Sequence, residues 1–239
     1  MGIFDWFDRL RRRSPGAGPS RDLTGDPRLL RIYQRHLGTD PRRILRQLIS
    51  QTRFVVIDTE TTGFKAYGGD EIVSICLLEL DGLEPTGRRL ESYINPEREI
   101  PPTSTRIHGI TDADVRQAPR IEELFADIFE FIEDSVLVGH HIDFDLRFLN
   151  KTLNTVLGCK LKNPWLDTML LYLGHSGRIG HYSLEEVARY CRVPVTGRHS
   201  AHGDAVTAAG IFRVLARCLS SPDQPVRHLL RQQVDTRDP

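Results

Sequence analysis

The stretch Phe54-Val-Val-Ile-Asp-Thr-Glu-Thr-Thr-Gly63 decides the fold class of this 239-residue chain. Its first four residues are apolar and rich in β-branched side chains, which is typical of a strand buried on both faces of a sheet. Asp58 and Glu60 follow, and residues two apart in an extended chain face the same side. Because ligand sites of open α/β sheets lie at strand ends, the stretch predicts a buried strand that delivers two carboxylates to a site. Gly63 lets the backbone turn sharply and approach a ligand closely.

The elements around this strand predict an α/β domain. Two alternating runs and a short apolar run indicate further strands, and apolar residues at helical spacing indicate helices. The predicted strands lie at 71–80, 88–94 and 136–138, and the predicted helices at 28–50 (in two parts), 121–132, 144–157, 183–191 and 204–219. Three strands, a helix, a strand and more helices predict a mixed central sheet flanked by helices.

Composition divides the chain into three parts. Residues 1–50 form a basic N-terminal extension, within which the Pro-, Gly- and Ser-rich residues 14–27 predict a linker. The segment 1–53 carries a net charge of +7, so the remainder carries −7. Residues 51–219 hold the predicted domain. Residues 220–239 are polar with three prolines and are expected to form a flexible tail.

Several classes of protein are excluded by composition. No apolar run approaches the roughly 18 residues that a membrane-spanning helix needs. The N-terminus lacks the apolar stretch and cleavage site of a secretory signal. The four cysteines are far apart and lie in apolar-patterned segments, so we expect buried, reduced thiols rather than disulfides or zinc ligands. A cytoplasmic protein is therefore expected.

Two further segments place acidic residues where a helix begins. Asp145 follows a predicted strand in Val138-Gly-His-His-Ile-Asp-Phe-Asp145, and Asp204 ends His199-Ser-Ala-His-Gly-Asp204. Taken singly, an aspartate at a helix start is most often an N-cap, and one after a strand can begin a turn. A lone histidine is more often a surface or core residue than a catalyst. The three acidic segments together, in these settings, favour a functional site.

This pattern resembles the DEDDh 3′–5′ exonucleases, and within them the branch that contains the proofreading epsilon subunit of bacterial DNA polymerase III. The resemblance covers about residues 53–219. It is carried by Asp58, Glu60, Asp145 and Asp204, with His199 five residues before the last aspartate, and by Ile107–Thr111, Asp167-Thr168 and Tyr182–Leu184. The HxAxxD form of the last motif distinguishes this group from relatives that use a tyrosine.

The resemblance implies a ribonuclease-H-like exonuclease fold over residues 51–219, with four carboxylates that hold two divalent ions, Mg²⁺ or Mn²⁺. Such ions prefer hard oxygen ligands. Two of them, about 4 Å apart, can activate a water and stabilise the leaving 3′ oxygen. By the family pattern Asp58 bridges both ions, Glu60 and Asp204 complete the nucleophile-side site, and Asp145 serves the second ion through water. His199 acts as the general base.

The family pattern also implies substrate contacts. Thr61, Thr62 and Gly63 lie where the backbone meets the terminal nucleotide. Phe64 is placed to stack on the last base, with a core phenylalanine as an equal alternative. His108 lines the pocket or is a packed loop histidine. The family usually has His-Asn where this chain has His140-His141, and we expect an altered rate or pH dependence rather than lost activity.

Three functions are compatible with these residues. The leading one is a 3′–5′ exonuclease on DNA ends, in proofreading or repair; the Thr-Thr-Gly and Ile-His-Gly features favour DNA over RNA. The alternative is an exoribonuclease that trims RNA ends. A non-catalytic module that binds nucleic acid or a partner would be favoured by loss of an acid, but all four are present. Residues 1–13 are amphipathic and basic, and could contact a protein partner or an anionic membrane surface, or remain a solubilising tail. The short C-terminal tail favours an exonuclease that acts alone or is tethered differently from the polymerase subunit.

Overall fold

A five-stranded mixed sheet forms the centre of the molecule. The computed structural model describes residues 27–233, so residues 1–13 and all but the last residue of the predicted linker lie outside the described part of the chain. The strand order is β3-β2-β1-β4-β5. β2 runs antiparallel to β1 and β3, whereas β4 runs parallel to β1 and β5. The strands are β1 (Arg53–Thr61), β2 (Ile72–Asp81), β3 (Glu84–Tyr93), β4 (Val136–Gly139) and β5 (Trp165–Asp167).

Helices cover both faces of this sheet, which confirms the predicted fold class. They are α1 (Pro27–Gly38), α2 (Pro41–Ile44), α3 (Pro102–His108), α4 (Asp112–Val115), α5 (Ile121–Ile132), α6 (Asp143–Leu157), α7 (Thr168–Ser176), α8 (Leu184–Cys191), α9 (Ala201–Leu219) and α10 (Arg227–Gln232). α8, predicted at 183–191, opens with a capping box between Ser183 and Glu186. Short 3₁₀ turns occupy Ile49–Gln51 and Ala66–Gly68.

β1 is buried on both faces because its apolar residues alternate between two cores. Phe54 and Val56 join the cluster formed by α7, α8 and α9. The ring of Phe54 packs 4.9 Å from that of Phe212 on α9. Val55 and Ile57 join the opposite cluster, under α5 and α6. The strand therefore holds its carboxyl end firmly between two helical layers, which confirms the prediction from the apolar run.

The segment 28–50 packs on the folded domain, whereas residues 1–50 were expected from the sequence to form an extension outside it. Ile32 on α1 is 6% exposed and packs with the α5–α6 core, and Ile44 and Ile49 are buried in the other cluster. Arg28 pairs with Asp127 and Glu130 on α5. The many arginines of this segment obscured its apolar positions, because an arginine keeps its charge in water while its stem covers apolar surface.

The chain after Leu219 also packs on the domain as far as Gln233. Val226 and Leu229 are fully buried, and Leu48 forms a β-bridge with Pro225. The expected flexible tail is therefore wrong for these residues, while 234–239 lie outside the described range. Two apolar side chains in a polar, proline-containing segment are a weak signal in sequence, but they suffice to fix a six-residue helix against a neighbouring core.

The structure also tests the expectation that the cysteines are buried and reduced. All four cysteines are free, but only Cys76 and Cys191 are buried; Cys159 is half-buried and Cys218 is exposed at the end of α9.

The sequence did not predict β5 and α7, because one short apolar run cannot be divided between a strand and a helix by periodicity. Among residues 27–233, no helix combines the length and apolarity that crossing a membrane requires.

Candidate metal centre and active site

Three carboxylates meet at the carboxyl end of β1. Asp58 and Glu60 project from the same side of the strand, as the extended geometry requires. Asp204 reaches them from the first turn of α9. One oxygen of each lies within 4.8 Å of the others, and Asp204 is buried while Asp58 and Glu60 are half-buried. The structure thus brings together residues that the sequence separates by about 145 positions.

Asp145 lies in the first turn of α6 and joins the site from the opposite side. It is 4% exposed and accepts a hydrogen bond of 2.6 Å from Thr59 Oγ1. Its charge raises the pKa of Asp58, so the two carboxylates are neighbours even though Asp145 is outside the group of three. Neither Asp145 nor Asp204 is an N-cap: those positions belong to Ile142 and Ser200. The capping alternative therefore fails for both.

The convergence of carboxylates disfavours their charged forms. Burial, followed by the charges of Asp145, Asp204 and Glu60, raises the pKa of Asp58 well above its usual range. Burial, with the charge of Asp204, raises the pKa of Glu60 to about 7. The pKa values of Asp145 and Asp204 are raised too, chiefly by burial. Since removal from water and like charges both penalise carboxylates, a cation at this site would be strongly favoured.

One atom marks where such a cation fits. Oδ2 of Asp204 accepts hydrogen bonds from Arg198 and from the backbone N–H of His199, the latter at 3.3 Å. Oδ1 of Asp204 is buried, with no hydrogen-bond partner among the described residues. A buried, unpaired carboxylate oxygen is costly. Asp58, Glu60 and Asp204 together offer the hard oxygen donors that Mg²⁺ and Mn²⁺ prefer, so these residues fit a divalent ion.

His199 lies on the loop that leads into α9. Its side chain is exposed, its φ is +62°, and its backbone N–H is tied to Asp204. His108, at the end of α3, is half-buried, and its Nδ1 accepts a hydrogen bond from Ile110 N at 3.1 Å. Burial lowers the pKa of His108, and the charge of His199 lowers it further. Both imidazoles therefore lie in one neighbourhood.

The turn after β1 presents one large aromatic side chain. Thr61 and Thr62 are buried and hydrogen-bonded within the turn, through Thr61 Oγ1 to Gly63 O and through Thr62 Oγ1 to Glu71 N. Phe64 is 79% exposed, and the centroid of its ring lies 6.1 Å from that of Phe144, so the core alternative is wrong. An exposed phenylalanine beside a cluster of acids is free to contact a ligand.

Gly63 serves the turn through its lack of a side chain and not through a left-handed backbone. Its φ is not in the left-handed region. A Cβ at this position would lie 2.5 Å from Oδ2 of Asp70. That carboxylate accepts hydrogen bonds from Lys65 N at 2.9 Å and from Thr62 Oγ1 at 3.3 Å. The glycine therefore allows the close approach of Asp70, which folds the turn back on itself.

Comparison with known proteins decides the family. The exonuclease family model RNase T matches residues 55–212, about two thirds of the chain. The chain belongs to this family of exonucleases. An epsilon subunit of DNA polymerase III from Rickettsia felis is 34% identical over 169 residues, covering 69% of this chain and 74% of that protein. An epsilon-like protein from Rhodobacter capsulatus is 39% identical over 176 residues, covering 72% of this chain but only 25% of that protein.

Solved structures agree on the fold. Exonuclease X, solved in complex with 5′-overhanging duplex DNA, matches with a TM-score of 0.58 at 22% identity, over 74% of this chain and 99% of that one. Exonuclease I from E. coli, in complex with a dT13 oligonucleotide, matches with a TM-score of 0.60 at 16% identity, over 70% of this chain and 41% of that one. As a member of the RNase T family, this chain is a phosphodiester hydrolase, and its fold is ribonuclease-H-like.

The His140-His141 pair lies directly before α6 of this exonuclease. His140 Nε2 is 3.0 Å from Tyr182 O and its Nδ1 2.9 Å from Thr168 Oγ1, and burial lowers its pKa to about 3. His141 has a φ of +56°, and its ring stacks 4.1 Å from that of His181. Left-handed φ values favour asparagine and, to a lesser extent, histidine. The backbone at this position is therefore compatible with either residue.

Sequence reasoning missed the residues that hold the acids in place. Thr59 binds Asp145, and Arg198 binds both Asp204 and Glu185 at the start of α8. Asp167 accepts the backbone N–H groups of His141 and Ile142, each at 3.2 Å, and so fixes the entry to α6. The sequence carried a signal only for Asp167, within the Asp167-Thr168 segment of the family pattern. Contacts between separate elements leave no local periodicity to find.

Proposed function

We propose that this chain is a metal-dependent 3′–5′ exonuclease that removes nucleotides from DNA 3′ ends by a two-metal-ion mechanism, in proofreading or repair. The observation that carries the proposal is the convergence of Asp58, Glu60 and Asp204, with Oδ1 of Asp204 buried and unpaired within the described part of the chain. Repelling carboxylates are maintained at a cost in stability, and metal binding is the function that accounts for the cost.

Each acid has a role in this proposal. Asp58 would contact both ions, Glu60 and Asp204 would complete the first site, and Asp145 would serve the second. When bound, the ions supply the positive charge that activates a water and stabilises the departing 3′ oxygen. The water attacks phosphorus, the bond from phosphorus to the 3′ oxygen breaks, and a nucleoside 5′-monophosphate leaves.

His199 is the proposed general base. An imidazole can take a proton near neutral pH, and the exposed ring of His199 is open to water and substrate. Its backbone is tied to Asp204, so the base and the proposed metal ligand are held by one short loop. This arrangement lets His199 accept the proton of the attacking water while Asp204 keeps its place.

The terminal nucleotide is proposed to lie on the turn after β1. Thr61, Thr62 and Gly63 would meet its sugar and phosphate, His108 would line the pocket, and Phe64 would stack on its base. Stacking does not depend on the base, which suits an exonuclease of low sequence preference. DNA is favoured over RNA because the curated relatives are named as DNA polymerase III subunits and the similar structures were solved with DNA.

Digestion of 5′-labelled single-stranded DNA and RNA oligomers, resolved at single nucleotides, tests the proposal. We expect a ladder that shortens from the 3′ end with Mg²⁺ or Mn²⁺ and stops with chelator, faster on DNA. Asp58→Asn should be inactive, whereas Asp223→Asn, at an exposed aspartate, should match wild type. Faster cleavage of RNA would reassign the substrate. Cleavage in chelator, or by Asp58→Asn, would overturn the metal mechanism.

A further inference from the structure

Arg198 is the one cation that the described residues place in direct contact with the acidic cluster. Its guanidinium bridges two carboxylates, with Nε donating to Glu185 and Nη1 to Asp204. Glu185 belongs to the first turn of α8, and Asp204 to that of α9. The planar fork of an arginine suits such bridging, whereas a lysine ammonium cannot span both partners in the same way. Arg198 thus links the metal centre to a helix that carries none of its acids.

The bridge distinguishes the two oxygens of Asp204. Oδ2 is occupied by Arg198 and by the N–H of His199, whereas Oδ1 is buried and unpaired. A carboxylate whose second oxygen is taken in this way can offer only one oxygen to a cation. Without the bridge, only the 3.3 Å hydrogen bond from His199 N would hold Oδ2, so the Asp204 side chain could rotate and the donor atom would be less firmly fixed.

The loop that carries Arg198 is held independently of the bridge. A Cβ on Gly203 would lie 2.1 Å from Gly197 O, so the loop rests directly on the start of α9. Ser200 Oγ donates to Gly197 O at 2.6 Å and accepts from Gly203 N at 3.1 Å. The backbone of this loop therefore survives changes to the Arg198 side chain, and substitutions there test the side chain's own role.

We propose that Arg198, supported by Glu185, is a positioning residue that fixes Asp204 so that Oδ1 alone is presented as a metal ligand. This inference rests on the proposed function and extends it to residues outside the DEDDh pattern. Partners that orient a metal ligand commonly contribute about 10–100-fold to metal affinity. A competing account makes Arg198 a counter-charge that only relieves repulsion among the acids.

The two accounts predict different changes in the Kd for Mn²⁺, of opposite sign for Arg198→Gln. If Arg198 positions Asp204, both Arg198→Lys and Arg198→Gln should raise the Kd for Mn²⁺ by about 10–100-fold. If Arg198 is only a counter-charge, Arg198→Lys should leave the Kd unchanged and Arg198→Gln should lower it, because a repelling charge has gone. Glu185→Gln, which keeps Arg198 but weakens its support, should raise the Kd by a smaller factor under the positioning account.

The measurement is titration of metal-free, full-length protein with Mn²⁺, followed by calorimetry or by the electron paramagnetic resonance of free Mn²⁺. Arg189→Lys is the matched control, because Arg189 is an exposed residue of α8 with no ion pair among residues 27–233, and it should bind Mn²⁺ as wild type does. Circular dichroism verifies that each variant is folded. If the Arg198 variants do not fold, the Kd of Glu185→Gln for Mn²⁺ tests the proposal.

The outcomes separate this inference from the proposed function. If wild type binds Mn²⁺ and degrades DNA while Arg198→Lys binds Mn²⁺ equally well, the positioning role is wrong and the exonuclease assignment stands. If wild type neither binds Mn²⁺ nor degrades DNA, the proposed function itself is wrong. A raised Kd in Arg198→Lys, with a smaller rise in Glu185→Gln, supports the positioning role.

Discussion

The acids on the strand and the acids on the helices reach the same site by different means. Asp58 and Glu60 are placed by β1 itself, which is clamped between two cores and needs no side-chain partner to aim them. Asp145 and Asp204 lie in the first turns of helices, and each is held by a residue from elsewhere, Thr59 in one case and Arg198 in the other. The strand pair is therefore fixed by backbone geometry, whereas each acid of the helix pair also relies on a side-chain hydrogen bond that one substitution can remove.

The largest effect is expected at the strand pair. Asp58→Asn keeps the shape of the side chain but removes the charge that the other three acids surround. We expect loss of hydrolysis to the background of the digestion assay and loss of tight Mn²⁺ binding, with the fold kept. Residual activity above about one hundredth of wild type would mean that Asp58 is not required for hydrolysis, and that the acids at the end of β1 do not form the active site.

A smaller effect is expected on the loop before α9. His199→Ala removes the proposed base but leaves all four acids, so kcat should fall about 10²–10⁴-fold while the Kd for Mn²⁺ changes little. His202→Ala, in the first turn of α9, is the comparison variant. The Nδ1 of His202 lies 3.3 Å from Glu91, which is not one of the four acids of the site. Equal losses in the two variants would assign His199 a structural role.

Thr59→Val tests the hold on Asp145 directly. The change preserves the shape of a β-branched strand residue and deletes the 2.6 Å hydrogen bond to Asp145. We expect about a 10-fold loss of kcat, in the lower part of the range for partners of metal ligands. Thr155→Val, at an exposed position on α6, should have no effect. A silent Thr59→Val would show that α6 alone positions Asp145, and that the helix acids resemble the strand acids after all.

The smallest effect is on the stability of the metal-free protein. The pKa of Glu60 is raised to about 7 and that of Asp58 is raised as well, so the folded state binds more protons than the unfolded state between about pH 4.5 and 7. Stability should therefore fall as pH rises through this window. One kcal/mol shifts the Tm of a domain this size by about 2–4 °C, which differential scanning fluorimetry resolves.

Metal should reverse that loss. Saturating Mn²⁺ should raise the Tm more at pH 7.5 than at pH 5.5, because protons and metal compete for the same oxygens. In Asp58→Asn the fall with pH should be smaller, since one of the repelling charges is gone. A Tm that rises from pH 5 to 7.5 in chelator would contradict the raised pKa values.

The strand half of the site could be predicted from sequence, and the helix half only in part. Asp58 and Glu60 follow from a local rule, the two-residue period of an extended chain. Asp145 and Asp204 came from a family pattern, because nothing local distinguishes them from helix caps. Thr59 and Arg198 could not be found, since each acts through a contact between elements distant in sequence. The same reason explains the misassigned ends: Ile32 and Leu229 are buried by neighbours that composition cannot reveal.

Gln233, which follows α10, is linked by hydrogen bonds to the segment that precedes Asp145. Its Oε1 accepts the amide hydrogen of Asp167 at 2.5 Å, and Asp167 in turn holds the backbone of His141 and Ile142, three residues before Asp145. Two hydrogen-bonded steps therefore connect the end of α10 with the start of α6, the helix that carries Asp145. Cleavage within α10, or a truncation placed before Gln233, is therefore expected to loosen the site, although all four acids and the proposed general base would still be present.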